Sequence, residues 1–275
     1  MRRYRYVAAA VLALASAGGA ARATGIYLAP HQAIYKMSLA TTRPGSGIVG
    51  ADGTMTYKFA DTCSGWEVEN RIAITYAYSE GAVAATTTDF VTWEAKNGLS
   101  YRFHLRNTRD GRVTDDISGT ARLRPGGRGG VARFTRPEAI TMTLPRGTEF
   151  PTAQTLQLMR AAREGRRTLL RTVFDGSDLD GPYEINALIA QPGISAGRSG
   201  HLKVSGRGER RLLRTRSWPM RLAFFPLDQQ VSVPDFEMGI DYHANGVAQS
   251  VTQRFKNFSL RGTLAHLVAL RRPRC

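Results

Sequence analysis

Three carboxylates lie close together in the run from Phe174 to Gly181, and clustered carboxylates can bind calcium. Counted from Asp175, the fifth position of a calcium loop is Leu179, and no glutamate follows at the twelfth. The spacing therefore does not fit an EF-hand. Aspartate side chains in such runs often accept hydrogen bonds from the backbone, so the run predicts a turn between two strands.

The histidines offer little local chemistry, because no two of the five lie within ten residues of each other. Zinc motifs need closer pairs, so we predict no metal site and no cofactor. His104 lies between Arg102 and Arg106 on a polar face, and we expect it to be solvated. His31 opens the first strand of the mature chain and is the best single candidate for a special role.

Nucleophilic catalysis also lacks a motif. Neither Gly45-Ser46-Gly47 nor Ser64-Gly65 has the G-x-S-x-G spacing of a nucleophile elbow. The glycine-rich run 125–130 joins strands and precedes no helix on which a phosphate could bind. We therefore predict no catalytic residues and a protein that is not an enzyme.

Arginine is dense between residues 207 and 221. Residues 211–216 are predicted as a strand in which Arg214 and Arg216 share a face. Two interpretations stay open: a basic stripe that binds an anionic partner, and an arginine-rich face that is only solvated. The candidate contacts for an anionic partner are Arg207, Arg210, Arg211, Arg214 and Arg216.

The chain has two cysteines, Cys63 and Cys275, and neither has a second ligand at metal-site spacing. In an oxidising compartment, two such distant cysteines favour one disulfide bond. A pair of free thiols and a bond between two molecules are the alternatives.

The first 23 residues have the features of a secretory signal peptide. Arginines precede an apolar run at residues 7–15, and Ala21-Arg22-Ala23 is an A-x-A cleavage site. The apolar run is too short to span a membrane, which takes about 20 residues, and no later span follows. We therefore expect a periplasmic mature chain, residues 24–275, that does not cross a membrane.

Removal of this segment takes away four arginines and lowers the formal net charge from +16 to +12. An exported basic protein meets lipid headgroups and acidic glycans. We therefore expect an envelope component as the partner, namely a lipid, a lipoprotein or a periplasmic protein, and no nucleic acid.

Apolar and polar residues alternate through almost the whole chain. In segment 32–39, for example, Ala33, Tyr35 and Met37 alternate with polar side chains. This period is typical of strands with one buried and one solvated face, so we predict a mainly β domain with one large, curved antiparallel sheet. The candidate strands are 32–39, 54–59, 66–78, 86–94, 100–106, 112–122, 131–135, 139–144, 168–174, 184–190, 201–205, 211–216, 220–225, 236–243, 247–258 and 260–269.

Segment 152–164 breaks this period. Leu158, Met159 and Ala162 lie at helical spacing, and Gly165 follows as a C-terminal glycine. The pattern predicts a single helix of about three turns.

Several short segments, taken in order, resemble the envelope-integrity protein B (EipB) family. They span nearly the whole mature chain, and the departures are the polar stretch 249–254 and the heavy arginine content. The segments are His31-x-x-x-Tyr35, Gly53-Thr54-Met55-Thr56-Tyr57, Cys63-Ser64-Gly65-Trp66, Phe150-Pro151, Phe174-Asp175-Gly176-Ser177, Trp218-Pro219, Pro234-Asp235-Phe236-Glu237, Asn245-Gly246-Val247 and Cys275.

The resemblance implies a periplasmic protein of Alphaproteobacteria, folded as a β-spiral around a small amount of helix. It also implies a disulfide between Cys63 and Cys275, a role in cell envelope integrity and a shape similar to periplasmic lipoprotein carriers. It transfers no catalytic residue.

Three functions stay open. The first is a monomeric, non-enzymatic protein that maintains envelope integrity by binding a lipid, lipoprotein or protein in the concave face of its sheet. The second is an enzyme acting on an envelope polymer, with its site assembled from distant strands. The third is a scaffold that binds acidic glycan through arginines. The missing local catalytic motifs favour the first and third.

Overall fold

Fifteen strands and two helices make up the fold in the computed structural model, which describes residues 25–193, 207–227 and 232–275. The helices are α1 (Pro151–Arg163) and α2 (Arg207–Leu212). The strands are β1 (His31–Thr42), β2 (Ile48–Asp61), β3 (Gly65–Tyr78), β4 (Val83–Ala95), β5 (Ser100–Arg109), β6 (Arg112–Leu123), β7 (Gly130–Arg136), β8 (Thr141–Leu144), β9 (Thr148–Glu149), β10 (Thr168–Val173), β11 (Tyr183–Ile189), β12 (Ser217–Pro226), β13 (Phe236–His243), β14 (Ala248–Arg254) and β15 (Phe258–Ala269).

All fifteen strands form one sheet, in the order β8-β7-β6-β5-β4-β3-β2-β1-β15-β14-β13-β12-β11-β10-β9. Neighbouring strands are antiparallel except β9 and β10, which pair in parallel. The two edge strands, β8 and β9, are joined by residues 145–147 alone, so the sheet curls back to its own beginning. The result is a nearly closed, barrel-like sheet, which confirms the predicted fold class.

The alternation of apolar and polar side chains along the strands explains why the inner face of this barrel is apolar. Ala33, Tyr35 and Met37 are buried on β1, as the sequence period predicted. Buried side chains from opposite parts of the sheet form three apolar clusters in the interior. One cluster includes Leu158 and Met159 of α1 together with Phe59 of β2 and Leu222 of β12. Helix α1 therefore packs against inward side chains from both halves of the sheet.

The predicted helix at 152–164 is confirmed as α1, Pro151–Arg163. Its first residue is proline, which is tolerated at this position because a backbone N–H there would have no partner within the helix. It ends before Gly165, whose φ of 74° is the left-handed conformation that glycine adopts readily. Arg160 and Arg163 lie in its last turn, where the helix dipole favours cations.

The predicted strand at 211–216 is wrong, because a second, much shorter helix occupies the start of this segment. Residues 207–212 form α2, and the chain turns before β12 begins at Ser217. Both sides of β12 are occupied by β11 and β13, so the segment has no free sheet edge beside it. The predicted strand at 201–205 lies outside the described residues.

Cys63 and Cys275 are joined by a disulfide, with their Cα atoms 5.8 Å apart across a sequence separation of 212 residues. The bond links the β2–β3 turn to the segment after β15. Asp61 supports the turn, because its carboxylate accepts a hydrogen bond from the Cys63 amide at 3.0 Å. Among the described residues, no helix is long and apolar enough to cross a membrane.

Candidate functional site

A cavity of about 220 Å³ lies inside the barrel, beside the first half of α1. Its wall is mostly apolar, with side chains from β2, β3 and β10 to β13 and from α1. The apolar lining residues are Leu28, Phe59, Val68, Leu158, Val173, Ile185, Leu222, Phe224, Met238 and Ile240. We call this space the lumen cavity.

His31, the residue singled out by the sequence, lines the lumen cavity. Its Nδ1 lies 2.7 Å from the carbonyl oxygen of Ala29, which can only accept, so Nδ1 carries the proton and donates. Nε2 is buried and has no hydrogen-bond partner among the described residues. Burial lowers the pKa of His31 because it disfavours the imidazolium. The neutral ring therefore presents a free acceptor at the cavity wall.

Three further ionisable side chains line the cavity, and in each of them the charged form is disfavoured. Burial raises the pKa of Tyr57, and the neighbouring Tyr242 phenol adds to the rise. Burial likewise raises the pKa of Tyr242 and of the Asp175 carboxyl. In each case the low polarity of the interior disfavours the anion. The cavity is therefore suited to an uncharged or apolar group.

The start of α1 is held by a carboxylate from the facing sheet. Phe150, the residue before the helix, provides no side-chain cap. Glu94 of β4 takes this role: its two oxygens accept hydrogen bonds from the amides of Thr152 and Ala153, at 2.7 and 2.9 Å. Burial nevertheless raises the pKa of Glu94 to about 7, against the opposing effect of these amides. Glu94 fixes the helix that forms one side of the cavity.

The candidate arginines lie on a segment that is bonded to the cavity wall. Arg211, Arg214 and Arg216 are exposed, whereas Leu212 and Leu213 pack against a buried cluster. The side chains of Arg207 and Arg210 lie outside the described residues.

Residues 244–246, the turn between β13 and β14, make the connection to the cavity. Asn245 and Gly246 line the cavity, and the Asn245 side chain donates to the carbonyl of Leu212 at 2.9 Å. The Ala244 amide donates to the carbonyl of Arg216 at 2.8 Å. Arg163, at the end of α1, donates to the carbonyl of Ala244 at 3.0 Å. The turn thus joins the cavity wall to both arginine-bearing segments.

His243 also bonds the segment that carries Arg214 and Arg216. The ring is fully buried, and its Nδ1 lies 3.0 Å from the carbonyl oxygen of Thr215. Its Nε2 lies 3.1 Å from the Gln249 side-chain oxygen. Thr215 stands between Arg214 and Arg216, so His243 fixes the backbone that presents these two side chains.

The other candidates have structural roles. Asp175 accepts hydrogen bonds from the amide and the hydroxyl of Ser177, and Asp178 accepts from the Asp180 amide, as a turn requires. His104 is half exposed and bonds Asp116 at 3.0 Å. No group of three or more potential metal ligands occurs in the described part of the chain.

Asn70 was not among the candidates from the sequence, although the alternation in segment 66–78 places it on the inward face. It occupies an inward position on β3, between Val68 and Ile72, opposite Tyr57 of β2. Its side-chain oxygen is buried without a hydrogen-bond partner among the described residues. Glu94 was missed because nothing in the sequence indicates which strand faces the start of the helix.

The fold and this interior define a barrel-like β protein that encloses a helix and a small, mostly apolar cavity. The EipB-like family model matches residues 22–271, and the chain belongs to this family.

Two relatives extend the comparison. The chain is 28% identical, over 253 residues, to the cell envelope integrity protein EipB of Brucella abortus (strain 2308), covering 91% of this chain and 88% of that protein. The crystal structure of a beta-barrel-like protein of the domain of unknown function DUF1849, also from Brucella abortus, superimposes with a TM-score of 0.81 at 26% identity. That match covers 90% of this chain and all of the other.

Proposed function

We propose that this chain acts in the periplasm to maintain the integrity of the cell envelope, as a non-enzymatic binding protein. Its ligand is an envelope molecule with an apolar chain, a lipid or a lipidated protein segment, whose chain enters the lumen cavity. The name of the Brucella relative supports the envelope role, and the signal-peptide features of residues 1–23 support the compartment.

The lumen cavity is the single observation that carries the proposal. Protein interiors are close-packed, and an apolar space of about 220 Å³ left open inside a barrel deprives the side chains that line it, such as Leu222 and Phe224, of contacts on the side facing the space. An acyl chain restores those contacts. The free Nε2 of His31 can accept a hydrogen bond from a hydroxyl or amide of the same ligand.

The size of the cavity limits how much of a ligand it holds. Sites for drug-sized molecules have volumes of roughly 300–1,000 Å³, so this cavity takes part of a chain and leaves the polar portion outside. Arg211, Arg214 and Arg216, exposed on the segment bonded to the cavity wall, are suited to attract an anionic headgroup or acidic segment.

The experiment is a titration with a fluorescent fatty acid, at low and high salt. Met238→Trp fills the cavity from β13, and Leu188→Trp places the same side chain on the exposed face of β11 as the control. We expect the first to abolish binding and the second to leave it unchanged.

Comparing the titrations at low and high salt distinguishes electrostatic attraction by the arginines from apolar binding in the cavity. We expect binding to weaken at high salt without vanishing, because screening removes only the electrostatic part. Complete loss at high salt would indicate an arginine-based glycan scaffold instead. Equal binding by the two tryptophan variants would contradict the proposed site.

A further inference from the structure

Exposed apolar side chains are concentrated at one end of the barrel. Because neighbouring strands are antiparallel, the β1–β2, β3–β4, β5–β6, β12–β13 and β14–β15 connections all lie at this end, opposite the disulfide. Six of the ten large apolar side chains that are exposed in the described residues lie within two residues of these connections. They are Val49, Val83, Val113, Leu227, Val233 and Phe255, which we call the apolar rim.

The five connections are neighbours in space. In the sheet, β5–β6, β3–β4, β1–β2, β14–β15 and β12–β13 follow one another without interruption, and strands lie about 4.8 Å apart. At least one exposed apolar side chain lies in each connection or within two residues of it, from 39% exposed at Phe255 to 72% at Val233. Isolated apolar side chains are common on protein surfaces, but one beside each of five consecutive connections is not.

A groove of about 760 Å³ lies beside this rim, between the end of β1, residues 233–237 and the β14–β15 hairpin, and Val233 and Phe255 line it. Aromatic rings form one side of it. Phe255 stacks on Phe258 with ring centroids 4.8 Å apart, and Phe236 lies 5.3 Å from Phe255. The Arg43 amide donates to the Asn257 carbonyl at 2.8 Å and so joins the β1–β2 connection to this hairpin.

The groove carries an excess of positive charge. Arg43, Lys256 and Arg261 line it, and none of them has a carboxylate within ion-pair distance in the described part of the chain. Arg254 pairs with Glu237 at 3.7 Å, and Asp235 is the remaining acidic lining residue. Four cations thus face two carboxylates.

We propose that the apolar rim docks on an anionic phospholipid membrane. The groove takes lipid headgroup phosphates against Arg43, Lys256 and Arg261, while Val233 and Phe255 enter the interface between headgroups and acyl chains. Apolar side chains flanked by cations bind such surfaces through burial and electrostatic attraction together. A bilayer surface contacts all five connections at once, whereas an acidic peptide would fill the groove and leave Val49, Val83 and Val113 uncovered. A membrane is therefore the occupant that the arc favours.

Insertion of the rim is tested with a tryptophan placed in it. Phe255→Trp is compared with Leu170→Trp, an exposed position on the outer face of β10, in vesicles that contain phosphatidylglycerol and brominated lipid. We expect bromine to quench the fluorescence of the first variant more than that of wild type and to leave the second variant like wild type. Equal quenching in both variants overturns the proposal.

The electrostatic contribution is tested by removing two cations. Each basic residue near an anionic surface contributes about 1 kcal/mol, so Arg43→Ala with Lys256→Ala lowers vesicle partitioning roughly 30-fold. The matched control is Arg124→Ala with Arg146→Ala, two exposed arginines at the disulfide end.

Unchanged partitioning of the rim variant, or an equal loss in the control, contradicts the docking surface. So does displacement from vesicles by a soluble acidic peptide at equimolar concentration, which would assign the groove to a peptide. Fatty-acid binding by the rim variants reports separately on the lumen cavity, so failure of one proposal does not imply failure of the other.

Discussion

Glu94 joins the sheet to the helix through two backbone amides, and it does so from a buried position. A carboxylate at a helix start is favoured by the helix dipole, yet its burial costs free energy because water is lost from the anion. The pKa of Glu94 is raised to about 7 because the cost of burying the anion exceeds its stabilisation at the helix start.

The first prediction concerns the pH dependence of this contact. The folded-state pKa of Glu94 is raised above its ordinary value of 4.5, so the folded protein binds the proton more tightly than the unfolded chain. The contribution of Glu94 to stability is therefore fully present below pH 4.5 and is lost as the pH rises through 7, by up to about 3 kcal/mol.

Glu94→Gln isolates this effect, because glutamine does not titrate and can accept only one of the two amide hydrogen bonds. Chemical denaturation of both proteins from pH 5 to pH 8 should show the stability advantage of the wild type shrinking as the pH rises. His31, whose pKa is lowered by burial, titrates with the opposite sign in both proteins and cancels in the difference. A constant or growing difference would contradict the assignment.

The second prediction concerns Asn70, whose side-chain oxygen is buried without a partner in the described residues. An unpaired buried polar atom costs about 1–3 kcal/mol, so Asn70→Leu should raise the free energy of unfolding by roughly 1 kcal/mol. Urea denaturation measures this. A loss of stability would show that the amide has a partner in solution, such as bound water.

At the scale of the elements, the spacing of apolar residues predicted most strands and α1. Apolar side chains at every second position indicate a strand with one buried face, and those at positions three or four apart indicate a helix with one buried face. The period could not predict α2. Leu212, Arg214 and Arg216 alternate as a strand would, but the neighbours that complete a strand come from distant parts of the chain. For the same reason, the sequence pointed to His31 but not to Glu94, whose role depends on which strand α1 approaches.

The third prediction concerns the end of α1. Gly165 has a φ of 74°, and a Cβ there would meet no atom within 4 Å, so only backbone strain opposes a side chain. Gly165→Ala should cost about 1 kcal/mol. Gly193→Ala, equally open but without a positive φ, should have little effect. Thermal unfolding compares the two, and equal changes would contradict this explanation of the helix end.

At the scale of the whole molecule, the disulfide ties the segment after β15 to the β2–β3 turn across a sequence separation of 212 residues. The fourth prediction follows. Cys63→Ser should lower the melting temperature markedly, since the chain-entropy model assigns roughly 5 kcal/mol, as an upper value, to such a loop.

Adding Cys275→Ser should change little more, because both substitutions remove the same bond. Additive losses would contradict a shared role. That residues 24–275 unfold as one domain stays a prediction, and a single cooperative transition in the same thermal scans would support it.

The two ends of the barrel carry different chemistry. The end near the disulfide carries the exposed Arg211, Arg214 and Arg216, and the opposite end carries the apolar rim. Between them, α1 and the inner face of the sheet line the lumen cavity.

Native mass spectrometry of the protein, isolated gently from the periplasm, tests the lumen cavity most directly. We predict that wild type and Leu188→Trp carry an additional mass of a lipid or lipidated segment, and that Met238→Trp, folded and disulfide-bonded, does not. Wild-type protein without any bound mass, or the same bound mass on Met238→Trp, would contradict the account.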